Sequence, residues 1–136
     1  MWQFFAEDSR MKFFTILLSM MMLAACTGDQ AGSNQKAFSI TGCVKEDKTI
    51  GEFAKLRITV KNESSMEFGC WAYIKIKKGN TIIDNSSVSY YSLRPGESQI
   101  EEAWFTKFSK HSEYDKAEVT LNWTIDSVGY SRDYVF

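Results

Sequence analysis

The sequence predicts an all-β protein, an antiparallel β-sandwich of about seven short strands. Three observations predict it. Apolar residues recur with a period of two in several short stretches, as they do in half-buried strands. Turn residues separate those stretches at short intervals. No stretch keeps an apolar period near 3.6 over three turns, so no long helix is expected.

Taken in order, Ala37 to Val44 reads as a first strand, with Phe38, Ile40 and Gly42 on one face. After the polar turn Lys45 to Thr49, Phe53 to Asn62 alternates cleanly. Leu56, Ile58 and Val60 point inward, and Arg57, Thr59 and Lys61 outward. Cys70 to Lys77 repeats the pattern: Cys70, Ala72, Ile74 and Ile76 share one face, and Trp71, Tyr73, Lys75 and Lys77 the other. Gly79-Asn80 is a hairpin signal leading into Thr81 to Asp84. Ser87 to Leu93 is strand-like, and Arg94-Pro95-Gly96-Glu97 forms a turn with Pro preset at its second position. In Gln99 to Thr106 the apolar residues Ile100, Ala103, Trp104 and Phe105 break parity, which predicts a bulge. Lys107 to Lys116 is polar and reads as a loop or a short helical turn. Ala117 to Ile125 then alternates, with Val119, Leu121, Trp123 and Ile125 on one face, and Tyr130 to Phe136 is the last strand. Abundant Ile, Val, Thr, Tyr, Phe and Trp agree with strands.

Ahead of this body lies MKFFTILLSMMMLAAC, Met11 to Cys26. Lys12 is a positive flank, and Phe13 to Ala25 is a 13-residue apolar run broken only by Thr15 and Ser19. That length suits the h-region of a secretory signal and falls short of the roughly 20 residues of a membrane-spanning helix. The run ends in Leu23-Ala24-Ala25-Cys26, which resembles the lipobox of bacterial lipoproteins at every position. The resemblance implies cleavage between Ala25 and Cys26 and lipid on the Cys26 sulfur. A single acyl chain binds a membrane only marginally, while two or more hold firmly, at ~0.8 kcal/mol per buried CH₂. An ordinary secretory signal with a chance cysteine is the competing reading. Residues 1–10, MWQFFAEDSR, carry Glu7 and Asp8 where a signal peptide prefers positive charge, so Met11 reads as the start and 1–10 as an extension.

The expected organisation is therefore a signal peptide over 11–25, a lipidated cysteine with a flexible tether over 26–35, and a sandwich domain over 36–136. The tether TGDQAGSNQ holds no large apolar residue and spans ~15–20 Å as random coil. Lipoprotein sorting patterns that retain Asp after the modified cysteine at the inner membrane imply, with Thr27 there, an outer membrane and a periplasmic face if the source is Gram-negative. Otherwise the protein sits on the outer face of the cell membrane.

Removing residues 1–25 from 136 leaves 111, one domain's worth. The formal net charge of −1 gives no argument for nucleic acid, where a clustered basic face is expected. With Cys26 acylated, Cys43 and Cys70 are an even pair in an oxidising compartment and predict a disulfide worth roughly 3–4 kcal/mol; two buried free thiols are the alternative.

Val60-Lys61-Asn62, the alternating Tyr73 to Lys77, the Gly79-Asn80 hairpin and Leu93-Arg94-Pro95-Gly96-Glu97 together resemble small bacterial immunoglobulin-like domains of the FxLYD kind. Tyr73-Ile74-Lys75-Ile76-Lys77 stands where that group carries its name motif. The resemblance implies an immunoglobulin-like sandwich and no particular activity.

Catalytic signals are sparse. His111, the only histidine, lies beside Glu113 and Asp115 and reads as a solvated loop residue. Glu101 and Glu102 are adjacent on a strand and point to opposite faces, so they do not serve one site. No nucleophile elbow, metal-binding His pair, phosphate loop or calcium loop occurs. No cofactor and no metal ligand set are expected. The best binding candidate is the outward face of Trp71 and Tyr73 beside Lys75 and Lys77, a pairing of aromatics and cations suited to a protein or glycan partner. The expected function is a non-catalytic, membrane-anchored binding module; a small periplasmic inhibitor or immunity-type protein is the alternative.

Overall fold

Period-two alternation makes each strand a two-sided ribbon, and burying the apolar side against a second sheet yields a sandwich. The computed structural model describes residues 32–136. The leader, the Ala25–Cys26 bond, the Cys26 lipid and the start at Met1 or Met11 lie outside the described residues. Seven strands follow one another: β1 (Phe38–Glu46), β2 (Ala54–Asn62), β3 (Phe68–Lys78), β4 (Thr81–Leu93), β5 (Ser98–Phe105), β6 (Lys116–Ile125) and β7 (Val128–Val135), with a 3₁₀ turn His111–Glu113 before β6. They pair antiparallel in two sheets, β1-β2-β5 and β4-β3-β6-β7. This is an immunoglobulin-like sandwich in which the fourth strand pairs with the third rather than the fifth.

The inward residues of β2, β3 and β6 are those that parity assigns. Leu56, Ile58, Val60, Ala72, Ile74, Ile76, Val119, Leu121 and Trp123 are all fully buried. Each large side chain among them contributes about 1.5–3 kcal/mol by leaving water. Phe38 closes one end of the core, edge-on to Trp123 at 5.7 Å and tilted on Phe68 at 4.7 Å. Tyr90 ties the sheets together, its hydroxyl donating to the Ile58 carbonyl at 2.9 Å inside the core.

The turns follow their residues. Gly79, at φ 59, opens the two-residue β3–β4 loop, as a type II′ hairpin requires. Pro95 and Gly96 (φ 77) form a type II turn closed by the Glu97 N–H donating to the Arg94 carbonyl at 2.9 Å. Asp126 and Ser127, at φ 50 and 65, make the type I′ turn between β6 and β7 without a glycine.

Four expectations need correcting. Ile100, Glu102 and Trp104 all face outward while Ala103 and Phe105 are buried, and the β2–β5 register is unbroken: the lost parity reflects exposed apolar residues, not a bulge. The irregularity lies instead in β1, where Thr41 is extra against β2; Gly42 thereby faces Thr59 on the outer side, and Cys43 turns toward the core. Thr81 to Leu93 is a single strand, regularly paired through Asn85 and Ser86, with bulges near its two ends opposite Ile76/Lys77 and Phe68/Cys70. The Cys43–Cys70 disulfide is not what the structure holds: both are free thiols, on different sheets. Burial pushes both thiols up, Cys70 to about 12.

The chain comes in at Asn34, whose carbonyl accepts from Trp123 Nε1–H at 2.9 Å. That end of the sandwich also carries the β2–β3, β4–β5 and β6–β7 connections. The β1–β2, β3–β4 and β5–β6 loops gather at the opposite end, where Lys48 N–H donates to the Ser109 carbonyl at 2.7 Å.

Candidate functional site

β3 is central in its sheet, so its outward residues stand in the middle of the four-stranded face. Trp71 lies between Ser89 of β4 and Asn122 of β6; Tyr73 lies between Ser87 and Thr120. The two rings are 45% and 38% exposed, much for residues flanked on both sides by paired strands. Their neighbours are small and uncharged, and cannot cover them. Tyr91 adds a third ring on the β4 edge.

The two lysines of this face differ. Lys75 lies over the Tyr73 ring, 5.6 Å from its centroid, and so extends the aromatic patch with a cation. Lys77 is spent on Glu118 at 2.9 Å, a carboxylate shared with Lys116 at 3.1 Å. These two hydrogen-bonded cations, Lys77 first, hold Glu118 below the usual carboxylate range. Trp71, Tyr73 and Lys75 thus form a patch, with Lys77 in an ion pair at its border. On the β7 side, the Thr120 hydroxyl donates to Asp133 at 2.7 Å.

The outer face of the three-stranded sheet is different in kind. Lys55, its side chain only 15% exposed, reaches Glu46 at 3.3 Å, Glu102 at 3.4 Å and Glu52 at 3.6 Å. Arg57 joins Glu46 and Glu102 from the other side. Burial pulls the Lys55 ammonium down, but the hydrogen-bonded Glu46 and Glu102 outweigh it and raise it. Trp104 Nε1–H donates to Glu102 at 3.2 Å and, ahead of the lysine, holds that carboxyl low.

Where this network meets the β1–β2 loop, a cleft of about 240 Å³ opens, lined by Gly51, Glu52, Phe53, Lys55, Glu102 and Trp104. No reading of the sequence singled out this group. Its one signal was the broken parity of Gln99 to Thr106, which put Trp104 on a solvent face.

His111 is not a solvated loop residue. Its ring packs on Tyr114 and Phe108, with Nδ1 2.7 Å from the Tyr114 hydroxyl. Its backbone N–H donates to Asp47 Oδ1 at 2.8 Å, and Nε2, buried, stands 3.6 Å from the same oxygen, too far for a hydrogen bond. Burial first, then Cys43 and Asp47, push the Tyr114 hydroxyl to about 12. The cluster joins the β1–β2 loop to the β5–β6 loop, a structural clasp. Glu101 and Glu102 lie on opposite faces of β5. Among the described residues, no three His, Cys, Asp or Glu side chains converge so as to hold a metal ion.

No protein-family model, curated protein or solved structure matches the chain.

Proposed function

We propose that the protein is an exported, lipid-anchored binding module, without catalytic chemistry of its own, that holds a protein partner on the outer face of the four-stranded sheet. The observation that carries this reading is the composition of that face's centre. Trp71 and Tyr73 stand exposed among Ser87, Ser89, Thr120 and Asn122, with Lys75 over the Tyr73 ring and Lys77 held in an ion pair at the border. Interface cores are depleted in charge and enriched in aromatics, because a buried charge must be desolvated while a rigid ring gives area at little entropic cost. A hydrogen-bonded sheet face is also preorganised, so binding does not have to order it.

The anchor half of the reading rests on Leu23-Ala24-Ala25-Cys26. A tether from Cys26 reaches the sandwich at Asn34, at the end where Trp123 fixes the chain. The non-catalytic half draws support from the use of His111, whose ring and backbone are engaged by Tyr114 and Asp47.

Two measurements test the halves separately. Metabolic labelling with an alkyne fatty acid is expected to tag the wild-type protein and not Cys26→Ala; equal labelling would end the anchor reading. Crosslinking in solubilised membranes is expected to join the wild type to a discrete partner that Trp71→Ala/Tyr73→Ala loses. An unchanged crosslinking pattern would rule this face out.

A further inference from the structure

We propose that the cleft between β2, β5 and the β1–β2 loop is a second binding site and takes one pyranose ring of a glycan. It lies on the other sheet from the Trp71 face and at the end opposite Asn34, so it stands independently of the reading above.

Two features of the walls point to a sugar. Trp104 is 59% exposed and Phe53 49%, an unusual cost for two large rings lining one cleft. The indole is also oriented, since its Nε1–H is committed to Glu102 at 3.2 Å. An oriented, exposed ring offers its π face to the C–H face of a pyranose.

The floor argues against an ion. Glu102 is already engaged by Lys55 and Arg57, and Glu52 lies 3.6 Å from the same lysine. A charged ligand would have to break these pairs, leaving a partner uncompensated. Hydroxyl groups need break nothing, because each can donate to a free carboxylate lone pair. Paired charges therefore present a fixed, nearly neutral array of donors and acceptors, which a polyhydroxylated ring can match. The cleft's 240 Å³ falls below the roughly 300 Å³ at which sites for drug-sized ligands begin, so one ring fills it.

Saturation-transfer NMR on the full-length protein in a non-glycosidic detergent tests this, with a panel of methyl pyranosides (gluco, galacto, manno and N-acetylglucosamine) at millimolar concentration. The expected result is transfer to ring C–H protons of at least one pyranoside, with affinity about fivefold to tenfold weaker in Trp104→Ala and unchanged in Trp71→Ala. Trp104 is largely exposed, so Trp104→Ala is expected to keep the wild-type melting curve, and Trp104→Phe to retain most of the binding. Transfer that survives Trp104→Ala would overturn the proposal. So would silence across the whole panel, or a short lysine peptide binding at Trp104 where no pyranoside does.

Discussion

Asn62 is the polar residue on which one end of the sandwich is built, and removing its amide should cost more than any surface change. It is fully buried at the end of β2. Its Nδ2 donates to the Leu93 carbonyl at 2.8 Å and to the Met66 carbonyl at 2.7 Å, while Oδ1 accepts from the Ser64 N–H at 2.9 Å and the Ser64 hydroxyl at 2.7 Å. Its backbone meets the β4–β5 turn, with Gly96 N–H donating to its carbonyl and its own N–H donating to Glu97. In Asn62→Ala the backbone bonds persist and the four amide bonds are lost. The Leu93 bond is buried, so its loss carries a desolvation cost of about 1–3 kcal/mol; the other three partners lie near solvent and lose about 0.5 kcal/mol each. The sum is about 2.5–4.5 kcal/mol, or a fall in Tm of at least about 10 °C for a domain this size. Asn62→Asp should be worse, since it sets a carboxylate oxygen against two carbonyls. Urea denaturation followed by tryptophan fluorescence measures both variants, with Ser64→Ala as a control expected to lose less than about 1 kcal/mol. A loss below about 1 kcal/mol for Asn62→Ala would refute the reasoning, because it would mean the β2–β3 loop and the end of β4 hold together without the amide.

Other outcomes are as direct. Gly69→Ala puts a Cβ well inside contact distance of the Tyr90 carbonyl oxygen, a backbone atom that cannot swing away, and should cost at least about 2 kcal/mol in the same assay. Replacing Asp126-Ser127 by Asn-Gly relieves two left-handed residues in the type I′ turn and should raise stability by about 1 kcal/mol in thermal unfolding. Glu97 (through the Arg94 N–H), Glu102 and Glu118 are each held below the ordinary carboxylate value, so their stabilisation is present above the unfolded value of about 4.3 and is lost as pH falls through the folded ones. The urea midpoint should therefore drop on going from about pH 5 to pH 3, and less so in Glu102→Gln. Cys70, raised to about 12, should resist iodoacetamide at pH 8 in the folded protein and react promptly in urea, which mass spectrometry of the alkylated peptides would read.

How much of this was legible beforehand depends on where parity holds. β2, β3 and β6 keep strict alternation from end to end, and every inward residue named from the sequence there is buried. β4 was not legible as one strand because its two bulges each shift the alternation by a residue, so that Asp84 and Tyr90 face inward on one parity and Ile83 and Leu93 on the other. The aromatic pair Trp71 and Tyr73 beside Lys75 followed from β3's alternation alone, but the small uncharged residues flanking it on the neighbouring strands did not. That depends on β4 and β6 bringing serine, threonine and asparagine alongside, and register across strands is not written in either strand by itself. The cleft is further from reach, since Phe53 and Trp104 are 51 residues apart and meet only through the β2–β5 pairing. An even cysteine count raises the expectation of a pair, but whether two thiols meet depends on how their strands pack, which the count does not carry.

The bulges of β4 also bear on how the folded protein avoids polymerising. A sheet's outermost strand offers a row of unpaired N–H and C=O groups to any passing chain. The two interruptions in β4 break that row on its side of the four-stranded sheet. On the other sheet, the Ile40 N–H of β1 is taken by the Tyr134 hydroxyl at 3.2 Å. β7 has neither device: its pairing with β6 is regular for eight residues, and Arg132 and Asp133 are the charges along it. If crowded copies of this protein ever add strand to strand, β7 and the equally regular edge strand β5 are the templates they would use, and a proline in the outer ladder would be the natural guard.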